Sequence, residues 1–403
     1  MMTSISPEEA WRRLAAGRSD PTPESLPRRE AAGRVLAAPV QATVDLPPCD
    51  MSAMDGYAVS GGIVARSTLP VTGTIAAGDP PGHVLAPGTA VRIMTGAPVP
   101  ADTEAVVPVE QTDAGEERVT FTAPSQAGAH IRKQGEVVRA GDEILTAGTA
   151  VSATVLGLLA AHGVETIDVY RAPRVATLST GDEILPPDRE PGPGQLRDSH
   201  TDFLLAAGAT LGLGFKALGI ARDDEADLAR HIERGISHDV LLITGGVSKG
   251  IFDLVKDVLA GYGCRTLFDE VAIQPGKPLV AARHDKGWVF GLPGNPASAI
   301  VCFALLVRPF LRTMMGFKDG YWHGALSAEL EAPLPGAHGR DRFVTASLRI
   351  KEGRILATPN LPEGSHDVVA YGSGSALVRI SASSPPAPVG SACEVLPLPG
   401  LLG

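Results

Sequence analysis

Hydrophobic and polar positions change period several times along the chain, and those changes mark out its elements. Ser6-Pro7-Glu8-Glu9 reads as a capping box with proline at the first helical position, and predicts a helix to about Ala16. A second helix is expected over 23–38, with Leu26, Ala31, Val35 and Leu36 inward. Residues 45–59, DLPPCDMSAMDGYAV, are too polar and proline-rich for a core strand and read on pattern alone as solvated linker. From Tyr57 to about Glu136 short strands alternate with turns, at 70–76, 90–94, 105–110 and 118–122, which predicts a small β domain. Ser152 then caps a helix over 153–162, stopped by Gly163. That helix is expected to rejoin the N-terminal ones, so the β domain is an insertion.

A different rhythm starts at Pro173. Strands at 174–179, 215–220 and 239–244 alternate with helices at 199–211 and 224–236, the latter capped by Asp223. This is the pattern of a parallel sheet covered on both faces. Beyond Tyr321 short strands return, at 324–330, 343–350, 354–358, 376–380 and 392–396, and predict a closing β-barrel. The fold class is α/β multidomain: a doubly wound parallel-sheet domain (173–318), an inserted β domain (45–136), a helical linking region (1–44 and 137–172) and a C-terminal β-barrel (319–403).

The sixty residues from Asp239 carry the densest chemistry. The apolar run 239–244 ends in Gly245-Gly246, followed by Ser248, Lys249, Gly250 and a helix start. Such a turn is an anion cradle, because glycines let the backbone approach and helix-terminal N–H groups point at the ligand. Two further apolar runs end in Pro275-Gly276-Lys277-Pro278 and in Pro293-Gly294-Asn295-Pro296. Asn295 suits an N-cap and Pro296 a first helical position, so a helix over 297–311 presents its N–H end there. Three such loops at strand ends indicate a site for a phosphorylated or oxyanionic ligand. Acids sit at other turns of the sheet, Asp182, Glu183, Asp198, Asp223 and Asp224, and Asp253 lies in the helix after the glycine loop. Carboxylates around a phosphate cradle imply Mg2+. Asp223 reads equally as a helix cap.

Composition narrows the partners. A net charge of -10 with no Lys/Arg run argues against nucleic acid. Cys49, Cys264, Cys302 and Cys393 are scattered without metal spacing, which suits a reduced, cytoplasmic setting. The first residues, with Glu8, Glu9, Arg12 and Arg13, do not resemble a signal peptide, and the longest apolar run, 297–307, is too short to cross a bilayer.

These blocks together are similar to the molybdopterin molybdenumtransferases, the family that includes the E domain of gephyrin. The resemblance rests on residues 45–59, RIMTGAPVP (92–100), RKQGEVVRAGD (132–142), RVATLSTGDEI (174–184), GGVSKGIFD (245–253), PGKP (275–278) and GLPGNPAS (291–298), and covers nearly the whole chain. It implies an enzyme that takes adenylylated molybdopterin and molybdate, cleaves the phosphoanhydride with a divalent metal and releases AMP. It implies a homodimer with sites shared between subunits, and the molybdopterin adenylyltransferase as a further partner. By motif match Asp55, Thr95, Asp142, Glu183, Asp253, Lys277, Pro278, Pro293 and Pro296 fall on family active-site positions. Lys277, Ser298, Arg340 and Ser365 resemble its molybdate pocket. Glu183, Asp253 and Asp223 are the candidate metal ligands among the acids at the sheet turns.

The chain also departs from that pattern. Gln274 stands where the family commonly has a second lysine; Lys249 is the candidate replacement cation and reads equally as a solvated loop lysine. Met51 and Asp198-Ser199-His200 are further departures. The alternative functions are a molybdopterin adenylyltransferase, which lacks the 54–57 block and the barrel, and a non-catalytic molybdopterin-binding scaffold.

Overall fold

The computed structural model describes residues 4–245 and 251–398. Two compact units emerge: one comprises Met1–Ser25, Gly33–Ala37 and Asp168–Gly403, the other Leu26–Ala32 and Ala38–Ile167. Helix α1 (Pro7–Gly17) begins as the sequence indicates, with Ser6 Oγ accepting the Glu9 N–H at 3.2 Å. Only half of the capping box forms, because the Glu9 carboxylate pairs with Arg12 and Arg13. Ala10 and Leu14 of α1 enter the same core as Phe268, Trp288 and Phe310. The helix expected over 23–38 does not exist. Pro23–Pro27 is a strand and Arg28–Glu30 a single 3-10 turn. Prolines at 23 and 27 restrict the residues before them and remove donors, and Gly33 turns the chain with φ 76°.

In the second unit β1 (Gly56–Val59), β2 (Thr68–Ile75), β3 (Ala90–Ile93), β4 (Ala105–Pro108) and β5 (Arg118–Thr120) form a sheet in the order β4-β1-β3-β2-β5. Part of the expected linker is therefore a central strand, buried at all four positions. Tyr57 and Val59 pack with Phe121 and Val119 on one face, while Ala58 packs with Val91 and Val106 on the other. A strand buried on both faces shows no alternation, so periodicity could not reveal it. Helix α2 (Ala153–Ala161) belongs to the same unit, and Ser152 Oγ accepts the Val155 N–H at 3.3 Å.

In the first unit the chain continues through β6 (Val175–Thr180), α3 (His200–Thr210), β7 (Lys216–Ala221), α4 (Glu225–Gly235), β8 (Val240–Thr244) and α5 (Ile251–Gly261). Then come β9 (Arg265–Phe268), β10 (Ile273–Gln274), β11 (Val280–His284) and β12 (Gly287–Leu292). Strands β7, β6, β8 and β12 are parallel neighbours in that order, and β11 and β9 extend the sheet antiparallel. Alternate strand residues serve different layers: Val240 and Leu242 pack with Leu204 of α3, whereas Leu241 and Ile243 pack with Leu228 and Ile232 of α4. The sheet is doubly wound, as its alternating pattern indicates. Helix α6 (Pro296–Cys302) runs through a π-helical segment (Phe303–Val307) into α7 (Arg308–Met314). This continuous stretch, Pro296–Met314, reaches the length and hydropathy of a membrane span, longer than the apolar run alone indicates, but is 78% buried within the protein.

The C-terminal strands β13 (Leu326–Leu330), β14 (Asp341–Lys351), β15 (Arg354–Asn360), β16 (Ala376–Ile380) and β17 (Ala392–Pro397) close in the order β14-β15-β13-β17-β16 and back to β14. A short helix, α8 (Val368–Gly372), interrupts them. Strand β10 was expected to serve the doubly wound sheet. It instead pairs with β14 of the barrel, Ile273 opposite Asp341 and Gln274 opposite Arg342. That pairing ties the following Pro275–Pro278 loop to the barrel wall.

Candidate active site

Strands β6, β7, β8 and β12 end along one edge of the sheet, where ligands of open α/β sheets bind. Strand β11 runs antiparallel to β12, so the Lys277 loop that precedes it returns to the same edge. Gly245 follows β8 with φ 88°, and a Cβ there would lie 2.3 Å from the Thr180 carbonyl oxygen of the neighbouring strand. Only glycine lets these two strand ends meet. Gly246, Ser248 and Lys249 lie outside the described residues, as does the side chain of Asp253.

Asp223 is not the cap of α4. Asp224 fills that role, accepting the Asp227 N–H at 3.0 Å. Asp223 sits one residue earlier, its N–H donating to Asp182 Oδ1 at 3.3 Å. Its own Oδ1 is buried without a partner. Burial, with the charges of Asp182 and Glu183 adding to it, pushes the Asp223 carboxyl above the usual range. Among the described residues no three His, Cys, Asp or Glu side chains converge as a ready ligand set. An orphaned carboxylate oxygen beside two further acids still suits Mg2+, which takes one or two protein carboxylates and completes its shell with water and phosphate oxygens.

A cavity of about 750 Å3 opens at this edge. The structure brings Glu183, Gly245, Lys277, Pro278, Pro293, Ser298, Arg340 and Ser365 together in its lining. Pro296 stands at the first position of α6. Asn295 precedes it with extended backbone but makes no side-chain cap. Its Nδ2 instead donates to Ser365 Oγ at 2.8 Å, joining the Pro293–Asn295 turn to the Ser365 loop. Lys277 Nζ lies 3.1 Å from Glu270 Oε2. Ser298, within the first turn of α6, is buried.

Several lining groups escaped sequence reasoning, among them Arg342, Glu363 and Tyr371. The signal for Arg342 was the Arg340-Asp341-Arg342 triplet. Side chains two apart in an extended chain share a face. Asp341 points the other way, buried and bonded to Arg379 Nε at 2.8 Å and to the Ala382 N–H at 3.0 Å.

In the other unit Asp55 and Thr95 are brought together: Asp55 Oδ1 accepts the Thr95 N–H at 2.6 Å. That bond, with a contribution from Arg92, holds the Asp55 carboxyl below its usual range. Asp142 accepts the Arg139 N–H at 3.0 Å within its own exposed turn. Cys264 and Cys302 are core residues and Cys393 packs against the barrel core, and burial pushes the thiols of Cys264 and Cys393 up to about 11.

Known proteins resemble this chain along most of its length. The family described as MoeA N-terminal region (domain I and II) matches residues 5–163, and the probable molybdopterin binding domain matches residues 176–313. Molybdopterin molybdenumtransferase 2 of Mycobacterium tuberculosis is 38% identical over 370 residues, covering 89% of this chain and 91% of the relative. The chain belongs to the molybdopterin molybdenumtransferase family. It is a transferase of molybdenum cofactor biosynthesis. The Haemophilus influenzae molybdopterin molybdenumtransferase is 34% identical over 384 residues, covering 94% of this chain and 95% of that one. Among solved structures, the molybdopterin biosynthesis MoeA protein from Pyrococcus horikosii superposes with a TM-score of 0.82 at 30% identity, covering 99% of this chain and 100% of that chain. The likeness extends along nearly the whole chain.

Proposed function

We propose that the enzyme inserts molybdenum from molybdate into adenylylated molybdopterin, with cleavage of the phosphoanhydride and release of AMP. The observation that supports this best is the convergence of Lys277, Arg340, Ser298 and Glu183 on one cavity at the carboxyl edge of the sheet. Molybdate and the phosphates are anions, best held by lysine, arginine, hydroxyls and a helix N-terminus. Lys277 and Arg340 neutralise the oxyanion, and Ser298 with the first turn of α6 donates hydrogen bonds to it. Ser365 is held by Asn295 for the same contact. Glu183 and Asp223, with Asp253 on the sequence match, would hold Mg2+. When bound, Mg2+ supplies charge neutralisation at the phosphoanhydride oxygens. Asp55, Thr95 and Asp142 fall on family active-site positions by motif match. In this reading the enzyme works in the cytoplasm as a homodimer with sites shared between subunits, and receives its substrate from the molybdopterin adenylyltransferase.

The test is AMP release from adenylylated molybdopterin by the purified protein, with and without molybdate and Mg2+. Molybdate- and Mg2+-dependent AMP release is the expected result. Binding without any AMP release would overturn it in favour of a molybdopterin-binding scaffold.

A further inference from the structure

Arg342 is not among the site positions that the family resemblance implies, yet it stands among the cavity's anion-binding groups. It lines the same cavity as Lys277 and Arg340. It stands directly opposite Gln274 in the β10–β14 pairing, at the entry to the Lys277 loop. Among the described residues its guanidinium has no ion-pair or hydrogen-bond partner, whereas Lys277 is engaged by Glu270 and Arg379 by Asp341. It is half-buried, so its charge is screened less than that of a surface arginine. Among the described residues, the charged side chains lining the cavity are Lys277, Arg340 and Arg342 against Glu183 and Glu363. With Arg342 these described groups carry one net positive charge; without it they sum to zero, which weakens the attraction for a dianion.

We propose that Arg342 is a specificity-determining binding residue for the free oxyanion, supplying the fork of guanidinium donors that receives molybdate beside Lys277. The proposal rests on the reading that molybdate binds this cavity. Guanidinium presents several donors in fixed geometry and so suits a tetrahedral oxyanion on two oxygens at once, whereas an ammonium acts as a point charge without that fixed fork. The neutral Gln274 opposite it leaves the guanidinium free of a competing charge from β10.

The test is equilibrium binding of molybdate alone, and of AMP alone, to the full-length protein by calorimetry at two salt concentrations. Arg342→Gln is expected to raise the molybdate Kd about tenfold, the size of one charge-assisted hydrogen-bonding group, and to flatten its salt dependence while AMP binding is unchanged. Arg342→Lys should recover the salt dependence and only part of the affinity. Unchanged molybdate affinity in Arg342→Gln, beside a clear loss in Lys277→Ala, would overturn the role of Arg342 and leave the proposed function standing. Loss of AMP binding with molybdate binding intact would also overturn it, placing the guanidinium on the nucleotide phosphate. If the unaltered protein binds no molybdate, the reading of the cavity fails and the proposal with it.

Discussion

Lys277 Nζ and Glu270 Oε2 are 3.1 Å apart, so the cavity's lysine already has an anion beside it. An incoming oxyanion must compete with that carboxylate. Both side chains are partly exposed, and such pairs hold with only about 0.2–1 kcal/mol. Glu270→Gln should therefore tighten molybdate binding by up to about fivefold, read by titration of the full-length protein. Weaker binding in the variant would mean that Glu270 positions the lysine instead of competing for it.

The Asn295–Ser365 hydrogen bond joins the α6 turn to the barrel loop at 2.8 Å. Ser365→Ala should cost about 0.5–1.5 kcal/mol of stability and raise the KM for molybdate more than it lowers kcat. Equal falls in kcat and in kcat/KM would assign the serine to the chemical step.

Asp223 offers a buried, unpartnered oxygen beside Asp182 and Glu183. A ligand that binds only the folded state raises its stability by mass action. Mg2+ should raise the melting temperature of the unaltered protein and leave that of Asp223→Asn unmoved. Equal Mg2+ responses in the two would remove Asp223 from the metal site.

Gly56 sits inside the DGYAV block, where a Cβ would lie 2.0 Å from the Val107 carbonyl oxygen of the adjacent strand. Gly56→Ala must therefore push β1 away from β4, at a cost of about 3 kcal/mol or more. Denaturant unfolding checks this, and a loss under 1 kcal/mol, within the range of ordinary surface substitutions, would show that the sheet yields there.

Arg349, with Thr358, holds the Glu331 carboxyl down from 4.5 to about 2. A depressed carboxyl contributes stability above its unfolded value and loses it as pH falls through the folded one. Glu331→Gln should lower the melting temperature at neutral pH, and the gap should close between pH 4.5 and pH 2. A gap that persists at pH 2 would assign the loss to packing.

The sequence alone determined the elements whose signal is local. Ser6, Ser152 and the alternating strands of the doubly wound unit and barrel stand where their caps and periods place them, because a cap or an amphipathic face acts within a few residues. The motif residues Glu183, Lys277, Ser298, Arg340 and Ser365 were legible in the same way, since loop chemistry and the family's blocks are both linear patterns. Tertiary structure decided what depends on residues far apart. Gly56–Val59 is a strand because two cores bury its two faces, and no local polarity reports that. Asp224 took the cap and left Asp223 to face Asp182, a choice made by neighbouring strands. Gln274 left the doubly wound sheet for the barrel, and only that pairing set Arg342 opposite it at the cavity. Burial, pairing and charge in a cavity are sums over distant segments, so the chain acquires them only on folding.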